Sequence, residues 1–233
     1  MRKLVAPIYV VTLILLSGCH TVSTHPGSNA PQGEVAKPAA GATRYAVDAE
    51  HSEVRFLVYK TGALSAWGHD HTVDAHGFKG EVYLASSFAD SSFALTLPVK
   101  DFQVDDPASR AVEGPDFASK PSASDIQGTT ANMLGPHTLD AAKYAEVTIQ
   151  SVKVTGSEAK AEATVRITLH GTARDLKVPF TVKPSGDELT ASGEFELRQS
   201  EFGITPFSAV GGALQVADVI KVKFKILARK STS

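Results

Sequence analysis

Beyond Arg44 the chain alternates apolar and polar residues with a period of two, and no other feature restricts its fold as much. Val54, Phe56 and Val58 share one side of an extended segment. Phe93, Leu95, Leu97 and Val99 repeat the pattern opposite Ser92, Ala94, Thr96 and Pro98. Ala161, Ala163, Val165, Ile167 and Leu169 alternate with Glu162, Thr164, Arg166, Thr168 and His170. Leu176, Val178, Phe180 and Val182 obey the same rule, as do residues 189–197 and the series Ile220, Val222, Phe224 and Ile226. Successive side chains of a strand point to opposite faces, so each run has one buried and one wet face, as in an antiparallel sheet.

Turn signals at Thr155-Gly156-Ser157, Gly171-Thr172-Ala173-Arg174 and Pro184-Ser185-Gly186-Asp187 separate the runs. With residues 74–84 and 146–154 added, about eight strands result. Long amphipathic strands expose edges unless the sheet closes, which favours a barrel or a closed sandwich. The expected fold class is therefore all-β, an antiparallel barrel of about eight strands with one or two short helices. The convincing helix covers residues 125–134, with Ser124 and Gln127 spaced as a capping box. An eight-stranded barrel is just wide enough to hold one small ligand or to be filled by its own side chains, and alternation leaves both open.

The N-terminus reads as an address. Arg2 and Lys3 precede an apolar run that is too short to span a bilayer and is broken by Pro7, which suits a secretory signal over residues 1–18. The run ends in Leu16-Ser17-Gly18-Cys19, which resembles the lipobox of bacterial lipoproteins, where the Cys is diacylated and becomes the new N-terminus. Cys19 is then the lipidation site, and two or three acyl chains make a stable membrane anchor. By the sorting pattern of enterobacterial lipoproteins, His20 rather than Asp at the next position implies the outer membrane, with the domain facing the periplasm. Residues 19–43 are mostly Ala, Pro, Gly, Ser and Thr, the composition of a flexible tether, and the folded domain is expected over residues 44–230.

Composition excludes several classes. With 23 Lys plus Arg against 25 Asp plus Glu, the net charge of −2 gives no footprint for nucleic acid. A single Cys forms neither an intramolecular disulfide nor a Cys-based zinc site, and its isolation suits an oxidising compartment. No Gly-x-Ser-x-Gly elbow and no phosphate-binding glycine loop is present, and Gly211-Gly212 reads as a flexible turn before the last strand. Asp105, Asp106, Glu113 and Asp116 fall in a polar stretch that reads as a solvated loop. Nothing points to an enzyme or to a resident cofactor.

One segment carries chemistry of its own. In Trp67-Gly68-His69-Asp70-His71 the two histidines are two positions apart, so on a strand they share a side, opposite Asp70. Two neutral imidazoles at this spacing suit Zn²⁺ or a similar ion. A third ligand would come from His51, Asp74, His76 or His137, and no spacing selects among them. The competing reading has these histidines capping strand ends or meeting a polar head group. Trp67 is read as a ligand-contacting aromatic or a plug inside the barrel.

Four motifs in order resemble the YceI-like family. They are Tyr45-x-x-Asp48-x-x-His51-Ser52-x-Val54-x-Phe56, the stretch from Lys143-Tyr144-Ala145-Glu146 to Ser151, Leu169-His170-Gly171-Thr172-Ala173-Arg174, and Ser200-Glu201-Phe202-Gly203-Ile204. Asp218-Val219-Ile220 then leads the last strand, so the resemblance covers residues 44–227. Ala145 and Asn132-Met133-Leu134 depart from the family pattern, as does the His-Asp-His segment. The resemblance implies a lipocalin-like antiparallel barrel, secreted or periplasmic, enclosing a polyisoprenoid or an isoprenoid quinone. The interior residues expected to touch such a lipid are Phe56, Trp67, Phe93, Leu95, Leu97, Val165, Ile167, Phe180 and Phe202. Two rivals remain: a periplasmic metal-binding or redox-linked factor built on His69 and His71, and a packed barrel that acts as an envelope interaction module. A homodimer is left open.

Overall fold

The computed structural model describes residues 31 and 33–231. Residues 1–18, read above as a secretory signal, and Cys19 lie outside the described residues. The strands are β1 (Thr43–Val47), β2 (Glu53–Thr61), β3 (His71–Ala75), β4 (Lys79–Leu84), β5 (Ser92–Pro98), β6 (Phe102–Val104), β7 (Glu146–Ser157), β8 (Lys160–Leu169), β9 (Thr172–Ser185), β10 (Glu188–Arg198), β11 (Ser208–Ala209) and β12 (Leu214–Lys230). Two helices, α1 (Pro107–Ala111) and α2 (Ala123–Leu134), lie between β6 and β7.

Eight of these strands close into an antiparallel barrel in the order β1-β4-β5-β7-β8-β9-β10-β12, with β1 pairing back onto β12. Closure depends on the length of β12, which at 17 residues offers one edge to β10 and shares the other. Its C-terminal end pairs with β1 (Val47 opposite Ala228), and its earlier part pairs with β2 from Gln215 to Lys225. β3 and β6 continue the sheet from β2, so the wall is extended beyond the barrel proper. The register lines up apolar residues across strands. Leu95, Ile149 and Ile167 form one row, and Phe195, Val222, Phe56, Val73 and Val104 form another.

Several local expectations shift. Residues 74–84 are two strands rather than one, because His76-Gly77-Phe78 turns the chain with Gly77 at φ 63°. The capping box of α2 is formed by Ser122 and Asp125, not by Ser124 and Gln127, and the helix starts two residues early. The β7–β8 turn falls after Ser157, with Gly156 still paired to Ala161 inside the ladder. His170 and Gly171 join β8 to β9 in a two-residue turn with φ of 51° and 72°, the left-handed geometry that matches strand twist. A Cβ on Gly171 would lie 2.5 Å from the Tyr144 ring. Part of the stretch expected as a flexible tether is bonded to the outer wall: the Ala36 N–H donates to the Ser151 carbonyl (2.7 Å) and Arg166 donates to the Gly33 carbonyl (3.2 Å).

Candidate functional site

The inward side chains of the barrel do not fill its interior. They enclose a cavity of about 310 Å³, at the lower end of the 300–1,000 Å³ common for ligand sites. The lining is almost wholly Val, Leu, Ile and Phe, drawn from the barrel strands and from β2, β3 and β6. Polar groups are confined to a few positions: Ser91 and Ser92 at the start of β5, His71 on β3, Thr129 and Asn132 on α2, Thr138 after it, and Gln199. Thr129, Asn132 and Met133 fall on one face of α2 at helical spacing, so this helix contributes one stretch of the lining although none of its residues is fully buried.

Seven of the nine residues expected inside do line the cavity: Phe56, Phe93, Leu95, Leu97, Val165, Ile167 and Phe180. Two do not. Trp67 sits on a 3-10 turn over Ser65–Trp67, where strand alternation does not apply, and is 85% exposed. It is neither a plug nor a lining residue. Phe202 ends the turn Gln199–Phe202 and is fully buried in the core, away from the lumen. Residues outside that set of nine, such as Phe102, Phe195 and Ile204, complete the wall. Phe195 and Phe224 were legible in the alternating runs, whereas Ile204 follows an irregular turn and carries no periodic signal.

The outer face of β2 and β3 is covered by residues 105–117; Asp116 is exposed, as expected of a solvated loop, but Asp105 and Glu113 are not. Asp105 is 1% exposed, and the Glu113 side chain is 3% exposed. Arg55, itself buried, donates to Asp74 (2.7 Å), Glu113 (2.8 Å) and Ser109 (3.0 Å), and Lys223 adds a bond to Glu113 (2.6 Å). Burial pushes the Glu113 carboxyl up, but the hydrogen bonds and charges of Lys223 and Arg55 outweigh it and hold the group below the usual carboxylate range.

At the start of β3 the two histidines are on one side, with ring centroids 4.6 Å apart, while Asp70 is buried and accepts the Lys60 N–H (2.7 Å). The group that joins the histidines is Asp105, not His51, Asp74, His76 or His137. His71 Nδ1 donates to Asp105 Oδ2 (2.7 Å), while the other carboxylate oxygen accepts from the Thr72 N–H (3.1 Å) and from Arg110. Burial works against the Asp105 charge, yet His71 and Arg110 together hold its pKa below the ordinary value. Burial depresses the His69 pKa, with His71 adding to the effect, so this imidazole favours its neutral form. Periodicity does not single out Asp105, because His71 lies 34 residues away in the chain and the Asp105 backbone adopts φ 56°.

Comparison with known proteins agrees with this architecture. A model of the YceI-like domain matches residues 45–228. No curated protein matches the chain. Among solved structures, BcnA of Burkholderia cenocepacia superposes with a TM-score of 0.57 at 19% identity, covering 78% of this chain and 98% of that one. A polyisoprenoid binding domain from Saccharophagus degradans, implicated in plant cell wall breakdown, gives 0.53 at 12% identity, over 80% of this chain and 98% of that one. The Campylobacter jejuni YceI protein gives 0.51 at 12% identity, over 69% and 85%. At these identities the likeness is one of fold.

Proposed function

This chain belongs to the YceI-like family, and from that premise we propose that it binds one apolar isoprenoid-type lipid, a polyisoprenoid or an isoprenoid quinone, inside its barrel. The observation that carries the reading is the cavity of about 310 Å³ walled by aliphatic and phenyl side chains. Such a space is energetically poor for water, because its few polar groups offer little hydrogen bonding; smaller apolar cavities stay dry and take up hydrocarbons. Each lipid CH₂ moved from water into the wall contributes about 0.8 kcal/mol, so a short stretch of chain already supplies the gross energy for tight binding. Ordering costs then reduce the net affinity. The polyisoprenoid binding domain of S. degradans shares the fold, which supports the same ligand class here.

The work done is sequestration or transport rather than catalysis: the wall replaces solvent around a chain that water does not dissolve. We read the protein as a lipoprotein of the cell envelope, anchored through acyl chains on Cys19 in the outer membrane and facing the periplasm. The test of the ligand is direct. Protein purified from membranes without denaturant, then extracted with organic solvent, should release a prenyl lipid in near-equimolar amount. Extracts containing only bulk phospholipid in proportion to contaminating membrane would overturn the reading.

A further inference from the structure

The corner where β3 begins holds two imidazoles and a carboxylate, an arrangement that the apolar wall of the lumen does not require. One nitrogen from each of His69 and His71 and one oxygen of Asp105 lie within 4.8 Å of one another. His71 donates its Nδ1 proton to Asp105, which leaves Nε2 as the ring nitrogen with an available lone pair. Asp105 is in turn fixed by the Thr72 N–H and by Arg110. A buried carboxylate that orients a histidine through its far nitrogen is the support that metal-binding imidazoles commonly have. Beside it, His69 Nε2 is buried with no hydrogen-bond partner. A polar atom left unpaired in this way is destabilising unless something satisfies it.

From this geometry we propose that His69 and His71 bind a divalent transition-metal ion through one nitrogen each, with Asp105 as the carboxylate that orients His71. Arg110 balances the charge of Asp105, so the corner presents neutral nitrogen donors rather than an anionic oxygen cage. Nitrogen donors of this kind select Cu²⁺, Ni²⁺ or Zn²⁺ over Ca²⁺ or Mg²⁺. His71 also lines the cavity, so an ion held by this pair would sit beside the lumen. The proposal is independent of the lipid reading and stands or falls by itself.

The test uses full-length protein without an affinity tag, stripped with EDTA and titrated with Cu²⁺ alone. Equilibrium dialysis should give one tightly held ion per chain, and its electron paramagnetic resonance spectrum should carry nitrogen hyperfine lines. His69→Ala and His71→Ala should each weaken binding by at least about tenfold, and Asp105→Asn by about 10–100-fold. A His20→Ala, His25→Ala control should bind as wild type does. If His71→Ala or Asp105→Asn fails to fold, His69→Gln carries the test, since His69 Nε2 has no protein hydrogen bond to lose. Unchanged affinity and spectrum in His69→Gln, or no nitrogen-coordinated copper in wild type, would overturn the proposal.

Discussion

Phe93 on β5 and Phe180 on β9 meet edge to face, with ring centroids 6.4 Å apart at 74°, although β7 and β8 lie between their strands in the sheet. Their contact therefore crosses the lumen rather than running along the wall, and it narrows the cavity that both rings line. Gly193, opposite Phe180 on β10, has no space for a side chain: a Cβ there would lie 2.4 Å from the Pro179 carbonyl oxygen and 2.8 Å from the Phe224 ring.

Phe180→Ala removes one side of this contact and widens the cavity. Lipid-free protein should lose up to about 3 kcal/mol, the low end for a core Phe→Ala change, because Phe180 is only half-buried. Bound lipid expands into the space, so the rise in melting temperature on adding lipid should be larger in the variant than in wild type. An equal rise in both would contradict a lumen-spanning role for the ring.

Arg55 and Arg44 allow a controlled comparison of ion pairs. Arg55→Ala leaves Asp74 and Glu113 with buried charge and lost partners, which should cost about 3–5 kcal/mol in urea unfolding. Arg44 pairs with Glu81 on the surface, and Arg44→Ala should cost no more than about 1 kcal/mol. Similar midpoints for the two variants would refute the view that residues 105–117 form a buried polar layer over β2 and β3.

Acid unfolding should follow the carboxylates. Hydrogen bonds from Arg229 and then His51 hold Asp48 at about 2, and Glu113 is also held below its ordinary value. A depressed folded pKa means the unfolded chain binds protons first as pH falls. The stabilisation is fully present above the unfolded carboxylate values, near pH 4, and is lost as pH drops through the folded ones. Stability monitored by circular dichroism should fall from about pH 4 towards pH 2, and Asp48→Asn should flatten that window. An unchanged slope in the variant would remove Asp48 from the account.

Alternation found the wall because a strand transmits its burial pattern directly into residue type: Leu95, Leu97, Val165 and Ile167 all line the lumen as their spacing predicts. It failed at Trp67 and Phe202, which sit on 3-10 turns where the period is near three. It also failed at Asp105 and Glu113. Their acidic, Pro- and Gly-bearing surroundings look solvated, and only the tertiary partners Arg110, Arg55 and Lys223 reveal that the segment is packed. Spacing put His69 and His71 on one side but could not name Asp105 as the group between them, since that depends on β6 docking against β3.

The anchor is tested by Cys19→Ser. The variant should no longer incorporate labelled palmitate and should leave the membrane fraction, as an uncleaved precursor or as soluble periplasmic protein. Normal processing together with membrane retention after high-salt washing would show that Cys19 is not the anchor.

The claim that the lumen holds lipid is tested most directly by Leu95→Trp, read by native mass spectrometry and by the denaturation midpoint of the same preparation. Leu95 lines the cavity beside Ile149, so a larger ring at this position would occupy the volume assigned to the ligand. The account predicts one prenyl lipid per chain in wild type, loss of that adduct in the variant, and a midpoint close to normal. In a lumen closed by its own side chains, the same change would force strained rotamers at about 1–3 kcal/mol. A wild type without any lipid adduct, paired with a clearly destabilised variant, would contradict the account.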